Sequence, residues 1–105
     1  MEIICSPLSN GVVFVSFLGT FRHGKPSEEL SACLHEQFGH GRRKFVLWIR
    51  GRIGRRPPLK SILNGFEARR CFIHVVATDE PIRVRLSQEK INAYDNLAAA
   101  FNDLI

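Results

Sequence analysis

Residues 45–66, FVLWIRGRIGRRPPLKSILNGF, hold the pattern that decides the fold of this chain. Five apolar residues, Phe45 to Ile49, run without interruption, as in a strand that is buried on both faces. A glycine- and arginine-rich loop, Gly51 to Arg56, follows. Pro57-Pro58 then opens a helix, because proline suits a first turn that needs no N–H donor. The order strand, loop, helix predicts half of a parallel α/β unit.

An amphipathic helix and a second buried strand complete this unit. The helix carries apolar residues at positions i, i+3, i+4 and i+7, which are Leu59, Ile62, Leu63 and Phe66. We expect this stripe to pack in the core rather than to bind a cofactor. Cys71 to Ala77 is again mostly apolar, and two buried strands joined by one helix indicate parallel pairing with the helix packed against the sheet.

The N-terminal residues predict a hairpin at the edge of the sheet. A short apolar piece, Glu2 to Pro7, turns through Ser9-Asn10-Gly11 into the β-rich run Val12 to Leu18. Gly19 to Pro26 is predicted as loop, and Ser27 as the N-cap of the helix that follows.

The C-terminal residues leave one segment, 79–90, open between helix and strand. Asp79 to Leu86 alternates apolar residues with arginines, as a strand does, but its acid-proline start suits a short helix. Ile91 to Tyr94 is a brief extended piece. Asp95 is then the expected cap of a final helix, whose inward residues are Leu97, Ala100, Phe101, Leu104 and Ile105.

The chain is therefore expected to form a single α/β domain over residues 1–105. Its 105 residues, of which 45% are hydrophobic, suffice for one core without metals or cross-links. We predict a mostly parallel sheet of four to five strands with an N-terminal hairpin and helices packed on it. The apolar runs are far shorter than the roughly 20 residues that a transmembrane helix requires. With no secretion signal at the N-terminus, we expect a cytoplasmic location.

Positive charge is concentrated between residues 42 and 70. Ten Lys or Arg residues and one acid, Glu67, give this segment a formal charge of +9, whereas the whole chain carries +5. The ten are Arg42, Arg43, Lys44, Arg50, Arg52, Arg55, Arg56, Lys60, Arg69 and Arg70. A localised field of this kind indicates an acidic or phosphate-bearing partner.

A parallel sheet divides this charge between its two ends. The residues at 42–44, 69 and 70 precede strands, where loops entering a buried strand need solvated side chains. The basic residues from Arg50 to Arg56 instead follow a strand, and open α/β sheets bind ligands beyond the carboxyl ends of their strands. Arginine also suits bidentate recognition of carboxylate or phosphate. The predicted partner- or anion-binding residues are therefore Arg50, Arg52, Arg55, Arg56 and Lys60.

The sequence contains no motif for catalysis, metal binding or cofactor binding. No paired carboxylates, Ser/His/Asp set, glycine-rich phosphate loop or Cys/His cluster occurs at mechanistic spacing. Cys5, Cys33 and Cys71 form no C-x-x-C pair, and their odd number argues against a disulfide framework, so we interpret them as buried thiols. We expect a non-enzymatic protein with no cofactor and no metal.

The family resemblance of this chain rests on three stretches, Val12 to Phe21, Arg42 to Ile49 and Ile91 to Ala100. They are similar, in that order, to the second strand, the charged turn into the central strand, and the closing strand, turn and helix of the STAS family, the sulfate-transporter and anti-sigma-factor-antagonist domain. With the element order, the resemblance covers nearly the whole chain. It implies a STAS-like fold and, as partner, an anti-sigma factor or a histidine-kinase-like regulator.

The chain departs from the family at its most telling motif, Asp-Ser-Ser/Thr-Gly-Leu. This motif should fall on residues 55–59, which are Arg55-Arg56-Pro57-Pro58-Leu59 here, so that only the leucine agrees. The family's switch places a phosphate on the Ser or Thr at this helix start. We therefore expect the regulatory phosphorylation to be lost, leaving a permanently cationic site, with Ser61 as the nearest hydroxyl that could substitute.

Two functions from different classes follow. The first is a non-enzymatic STAS-like interaction module, similar to an anti-sigma-factor antagonist, that binds an acidic protein through its Arg-rich sheet edge. The alternative is a nucleic-acid or small-anion binding protein, which usually adds exposed aromatics for stacking, whereas Trp48 and most phenylalanines here fall in core positions. The apolar first strand could also pair two copies as a homodimer.

Overall fold

The computed structural model describes residues 2–22, 24–54 and 59–104, and the elements below are those of this part of the chain. Its helices are α1 (Lys25–Gly39), α2 (Leu59–Glu67), α3 (Glu80–Gln88) and α4 (Leu97–Asn102). Its strands are β1 (Glu2–Pro7), β2 (Val12–Leu18), β3 (Thr20–Phe21), β4 (Lys44–Ile49), β5 (Arg52–Ile53), β6 (Phe72–Val76) and β7 (Ala93–Tyr94). None of these helices is long and apolar enough to cross a membrane.

The main sheet has five strands in the order β1-β2-β4-β6-β7. Only β1 and β2 are antiparallel; the three remaining pairs are parallel. The turn between β1 and β2 is closed by the Asn10 side chain, which accepts a hydrogen bond from the Val12 N–H at 3.0 Å, and by Gly11 at a φ of 86°. The predicted α/β class, the mostly parallel sheet and the N-terminal hairpin are confirmed.

The two faces of the sheet are covered unequally. Helices α1, α2 and α3 pack on one face, where the core includes Val15, Leu47 and Val75. The short helix α4 packs on the other face, where Val46 and Val76 contact it. Strand β4 is thus buried from both sides, as its unbroken apolar run predicted.

The loops predicted after β2 and β4 are wrong in part, because each contains a short strand. Strands β3 and β5 pair in parallel, with Thr20 opposite Arg52 and Phe21 opposite Ile53. Phe21 is buried and meets the edge of the Phe17 ring at a centroid distance of 5.4 Å, which anchors β3 to the core. A two-residue strand is too short to show a periodic pattern in the sequence.

Both predicted helix caps are one to three residues away from their true positions. Gly24, at a φ of 94°, caps α1, and the Ser27 hydroxyl lies inside the first turn and donates to the Gly24 carbonyl at 2.9 Å. Asn96, rather than Asp95, caps α4, because its side chain accepts from the Ala99 N–H at 2.8 Å.

The segment left open, 79–90, forms helix α3 with Pro81 in its first turn, where a missing N–H costs nothing. Its Leu86 is fully buried. The predicted helix start at Pro57-Pro58 and the inward position of Ile105 lie outside the described residues.

Candidate functional site

The predicted basic site begins where strand β4 ends, at Arg50. Backbone hydrogen bonds continue past the end of the main sheet: the Arg50 N–H donates to the Phe17 carbonyl at 2.8 Å, and the Arg52 N–H donates to the Gly19 carbonyl at 2.7 Å. Arg50 and Arg52 are therefore presented by a paired backbone rather than by a free loop. Arg55 and Arg56, which the sequence assigned to the same site, lie outside the described residues.

Arg50 is held over an aromatic ring. Its guanidinium carbon lies 4.7 Å from the centre of the Trp48 ring, on the face of the sheet that carries α4. Trp48 is half-buried and packs against Phe14, with the ring centres 6.2 Å apart. A cation–π contact of this kind contributes about 0.5–1 kcal/mol at an exposed position. It restricts the exposed Arg50 side chain before any partner arrives.

Arg22 joins Arg50 and Arg52, although the sequence analysis did not include it. It is exposed, it directly follows β3, and its Cβ lies close to Gly54, just past β5. Since Thr20 pairs with Arg52 and Phe21 with Ile53, the register continues with Arg22 beside Gly54, two positions along the neighbouring strand from Arg52. We call these three residues the arginine end. Only the pairing of β3 with β5, invisible in the sequence, reveals the third member.

The arginine end carries uncompensated positive charge. The ion pairs formed by the described residues are Lys25–Glu29 and Arg85–Glu89, and neither involves the arginine end. Arg85 also donates to the Gly54 carbonyl at 3.2 Å, so helix α3 supports the segment that carries Arg52. Three exposed guanidiniums without a carboxylate partner in the described chain can each donate two parallel hydrogen bonds to an incoming carboxylate.

Lys60, the fifth predicted site residue, has a structural contact. It is half-buried in the first turn of α2, and its Nζ donates to the Lys90 carbonyl at 3.1 Å. Lys90 follows α3 with a φ of 62°, so this bond ties the start of α2 to the turn after α3. The contact fixes the Lys60 side chain towards the turn after α3.

The carboxyl ends of the strands do not share one sign of charge. Asp79 and Glu80 follow β6, and Asp95 follows β7, all three exposed. Since β6 is the neighbour of β4, an acidic half of this end, which also holds the Arg83 guanidinium donating to the Ala77 carbonyl at 2.8 Å, lies beside the basic half. A partner that covers the whole end must therefore present acidic groups on one side only.

The basic residues that precede strands, at 42–44, 69 and 70, lie at the opposite end of the sheet, and some of them pack against aromatic rings. The guanidinium carbon of Arg43 lies 4.0 Å from the centre of the Phe38 ring, and that of Arg69 lies 5.6 Å from the same ring. Arg69 also lies 3.4 Å from the His35 ring nitrogen. These side chains cover the end of α1, which agrees with the structural role expected for residues that precede buried strands.

Two cavities lie away from the arginine end. One cavity of about 450 Å³ lies between the end of α2 and strand β6, lined by residues from Glu67 to His74. Another, of about 140 Å³, lies between α1 and α2 and includes Ser61 and Arg69. Within the described ranges no three His, Cys, Asp or Glu side chains are grouped to hold a metal ion.

Comparison with known proteins gives no relative from which a role could be transferred. No family model, no curated protein and no solved structure matches this chain.

Proposed function

We propose that this protein is a non-enzymatic, STAS-like interaction module that binds an acidic protein through its arginine end. The observation that carries the proposal is the set of exposed Arg22, Arg50 and Arg52 side chains, fixed on a paired backbone beyond the central strand and free of ion pairs with the described residues. Electrostatic complementarity between such guanidiniums and the carboxylates of a partner gives specificity and fast association.

The charge distribution favours a protein over a nucleic acid as the partner. A nucleic-acid backbone presents regularly repeated phosphates, and the acidic half at Asp79, Glu80 and Asp95 would repel those that lie beyond the arginine end. A protein can place carboxylates opposite the arginines alone. The one tryptophan, Trp48, is half-buried under Arg50 and is not a free platform for base stacking.

The resemblance to STAS domains suggests how such a module would work. In that family a phosphate is added at the start of the second helix and changes binding; here the corresponding positions are Arg55, Arg56, Pro57 and Pro58. We propose that this chain is a constitutive form, which does not depend on phosphorylation for its charge, and that its partner resembles an anti-sigma factor or a kinase-like regulator.

The test compares capture of partners by the native protein and by two charge-matched variants. In the site variant, Arg50→Glu and Arg52→Glu reverse the arginine end. In the control, Lys44→Glu and Arg70→Glu change the net charge equally at the opposite end of the sheet, where both side chains are exposed. Each protein is used for pull-down from lysate, with and without nuclease, and bound partners are identified and then titrated while Trp48 fluorescence is followed.

We expect a nuclease-resistant acidic protein that the native chain and the control variant capture and the site variant does not. Binding should alter Trp48 emission, because Arg50 lies directly over that ring. Equal capture by the site and control variants would refute the arginine end as the binding surface. Binding that disappears after nuclease treatment would favour the nucleic-acid alternative.

A further inference from the structure

A cavity between helices α1 and α2 collects hydrogen-bond donors from both helices. Its volume is about 140 Å³, and the residues that define its chemistry are Ser31, His35, Ser61, Gly65, Phe66 and Arg69. Two hydroxyls, an imidazole and a guanidinium thus line one small space, and among the described residues around it none is acidic. The two ion pairs found in the described part of the chain do not engage Arg69.

His35 and Arg69 are held next to each other against a buried aromatic ring. The His35 ring centre lies 4.8 Å from that of Phe66, and the Arg69 guanidinium carbon lies 6.0 Å from the same ring. Arg69 Nη1 lies 3.4 Å from His35 Nδ1. Since a guanidinium can only donate hydrogen bonds, Nδ1 is the acceptor and the ring proton of His35 is on Nε2. The pair therefore offers an imidazole N–H and the remaining guanidinium N–H groups to a ligand.

Gly65 leaves space at the α2 wall of this cavity. It lies inside α2, where glycine is less favourable than alanine. No heavy atom lies within 4 Å of a Cβ built at this position, so close packing does not require the glycine. An alanine methyl group here would instead occupy space at the cavity wall.

A second cavity continues from the first along α1. It has a volume of about 390 Å³, shares Ser31 and Ile62 with the first cavity, and adds Ser27 and Glu28. We call the two cavities together the α1–α2 groove. The Glu28 carboxylate can accept hydrogen bonds from hydroxyl groups. The groove thus suits an anion at the end that holds Arg69 and a hydroxylated group towards Glu28.

We propose that the α1–α2 groove binds a small phosphate monoester of a sugar or polyol. The phosphate accepts hydrogen bonds from Arg69, from His35 Nε2 and from the two serine hydroxyls, and the organic group extends along α1 towards Glu28. A phosphate has three terminal oxygens that accept hydrogen bonds, so it can meet donors that come from both helices, and arginine is well suited to bind it. The groove is separate from the arginine end, and this inference does not rest on the proposed function.

The test follows backbone and imidazole NMR resonances of the native protein during titration with β-glycerophosphate, inorganic phosphate and glycerol, at constant pH and ionic strength. We expect β-glycerophosphate to shift the resonances of Ser31, His35 and Gly65 saturably, inorganic phosphate to bind more weakly, and glycerol to cause no shift. Arg69→Gln should weaken β-glycerophosphate binding by roughly 10- to 100-fold, because it removes charged hydrogen bonds. Arg70→Gln, which removes the same charge from an exposed neighbour that does not line the groove, should leave binding unchanged.

Four results would overturn the proposal. They are the absence of a saturable shift with β-glycerophosphate, equal binding by native protein and Arg69→Gln, inorganic phosphate that binds as tightly as the monoester, and shifts confined to Arg50 and Arg52, which would place the anion at the arginine end. Should Arg69→Gln fail to fold, Gly65→Ala decides the matter. Its methyl group should weaken binding several-fold while it stabilises α2, and a stabilised variant with unchanged binding would refute the position of the ligand.

Discussion

Gly51 is the point at which an added methyl group should damage this fold most. Strands β2 and β4 approach closely where the main sheet continues into the β3–β5 pair, and Gly51 faces the backbone of Gly19 there. A Cβ at position 51 would overlap the Gly19 carbonyl oxygen and would lie 2.6 Å from its carbonyl carbon and its amide nitrogen, whereas real Cβ contacts stay beyond 3.0 Å. Backbone atoms cannot rotate away as a side chain can.

The loss of stability in Gly51→Ala can be worked out from the backbone segments that the added methyl group would push apart. Separating the two backbones by more than about an ångström strains the bonds from Arg50 N–H to the Phe17 carbonyl and from Arg52 N–H to the Gly19 carbonyl, now 2.8 and 2.7 Å long. Each such bond contributes about 1 kcal/mol, and overpacking adds roughly 1–3 kcal/mol. We expect Gly51→Ala to lower the free energy of unfolding by about 3–5 kcal/mol, a large part of the roughly 5–15 kcal/mol of a typical domain.

Gly65→Ala is the matched control for this substitution. Gly65 is exposed in the middle of α2 with no heavy atom within 4 Å of an added Cβ, so alanine should stabilise the protein by about 0.5–1 kcal/mol. Urea unfolding of both variants, followed by circular dichroism and Trp48 fluorescence, gives the two free energies. A loss at Gly51 no larger than the roughly 0.5 kcal/mol of an ordinary surface substitution would refute the close approach of the two strands.

Two further substitutions test the C-terminal part of the fold. Asn96→Ala should lower the free energy of unfolding by about 1 kcal/mol, because it removes the acceptor for the Ala99 N–H. Asp95→Ala should change this free energy little, and urea unfolding measures both. A larger loss in Asp95→Ala than in Asn96→Ala would show that Asp95 is the cap, as the sequence predicted. Tyr94 donates from its hydroxyl to the Asp103 carboxylate at 2.7 Å, and this bond, followed by burial, raises the pKa of Tyr94. A raised pKa in the folded state stabilises at pH values below the unfolded pKa, near 10, and the gain is lost as pH rises through the folded value. The native protein should therefore exceed Tyr94→Phe in stability at neutral pH and lose that advantage above about pH 10; a difference that does not change with pH would contradict the bond.

Much of the fold could be predicted because its signals are local. The apolar runs of β4 and β6 and the stripe of α2 appear within a few residues of sequence, and turn residues such as Asn10 and Gly11 require a specific backbone geometry. The segment 79–90 could not be assigned, since its alternating arginines suit a strand whereas its acid-proline start suits a helix. In the structure it forms α3, with Leu86 buried in the core.

The sequence predicted the positive charge of the candidate site but not which residues form it. Arg50 and Arg52 stand out by composition, and the structure presents both on a paired backbone. Lys60 carries the same charge but contacts the Lys90 carbonyl, and Arg22 is close to Arg52 only because β3 pairs with β5. A count of basic residues cannot separate these cases.

The sequence by itself determined the fold class, the parallel core and the concentration of positive charge, because hydrophobic periodicity and composition are properties of neighbouring residues. Only the tertiary structure decided the approach of Gly19 to Gly51 and which arginines are presented together. Those features join residues that are distant in the chain, and their geometry is set by strand register and helix packing, which no local pattern encodes.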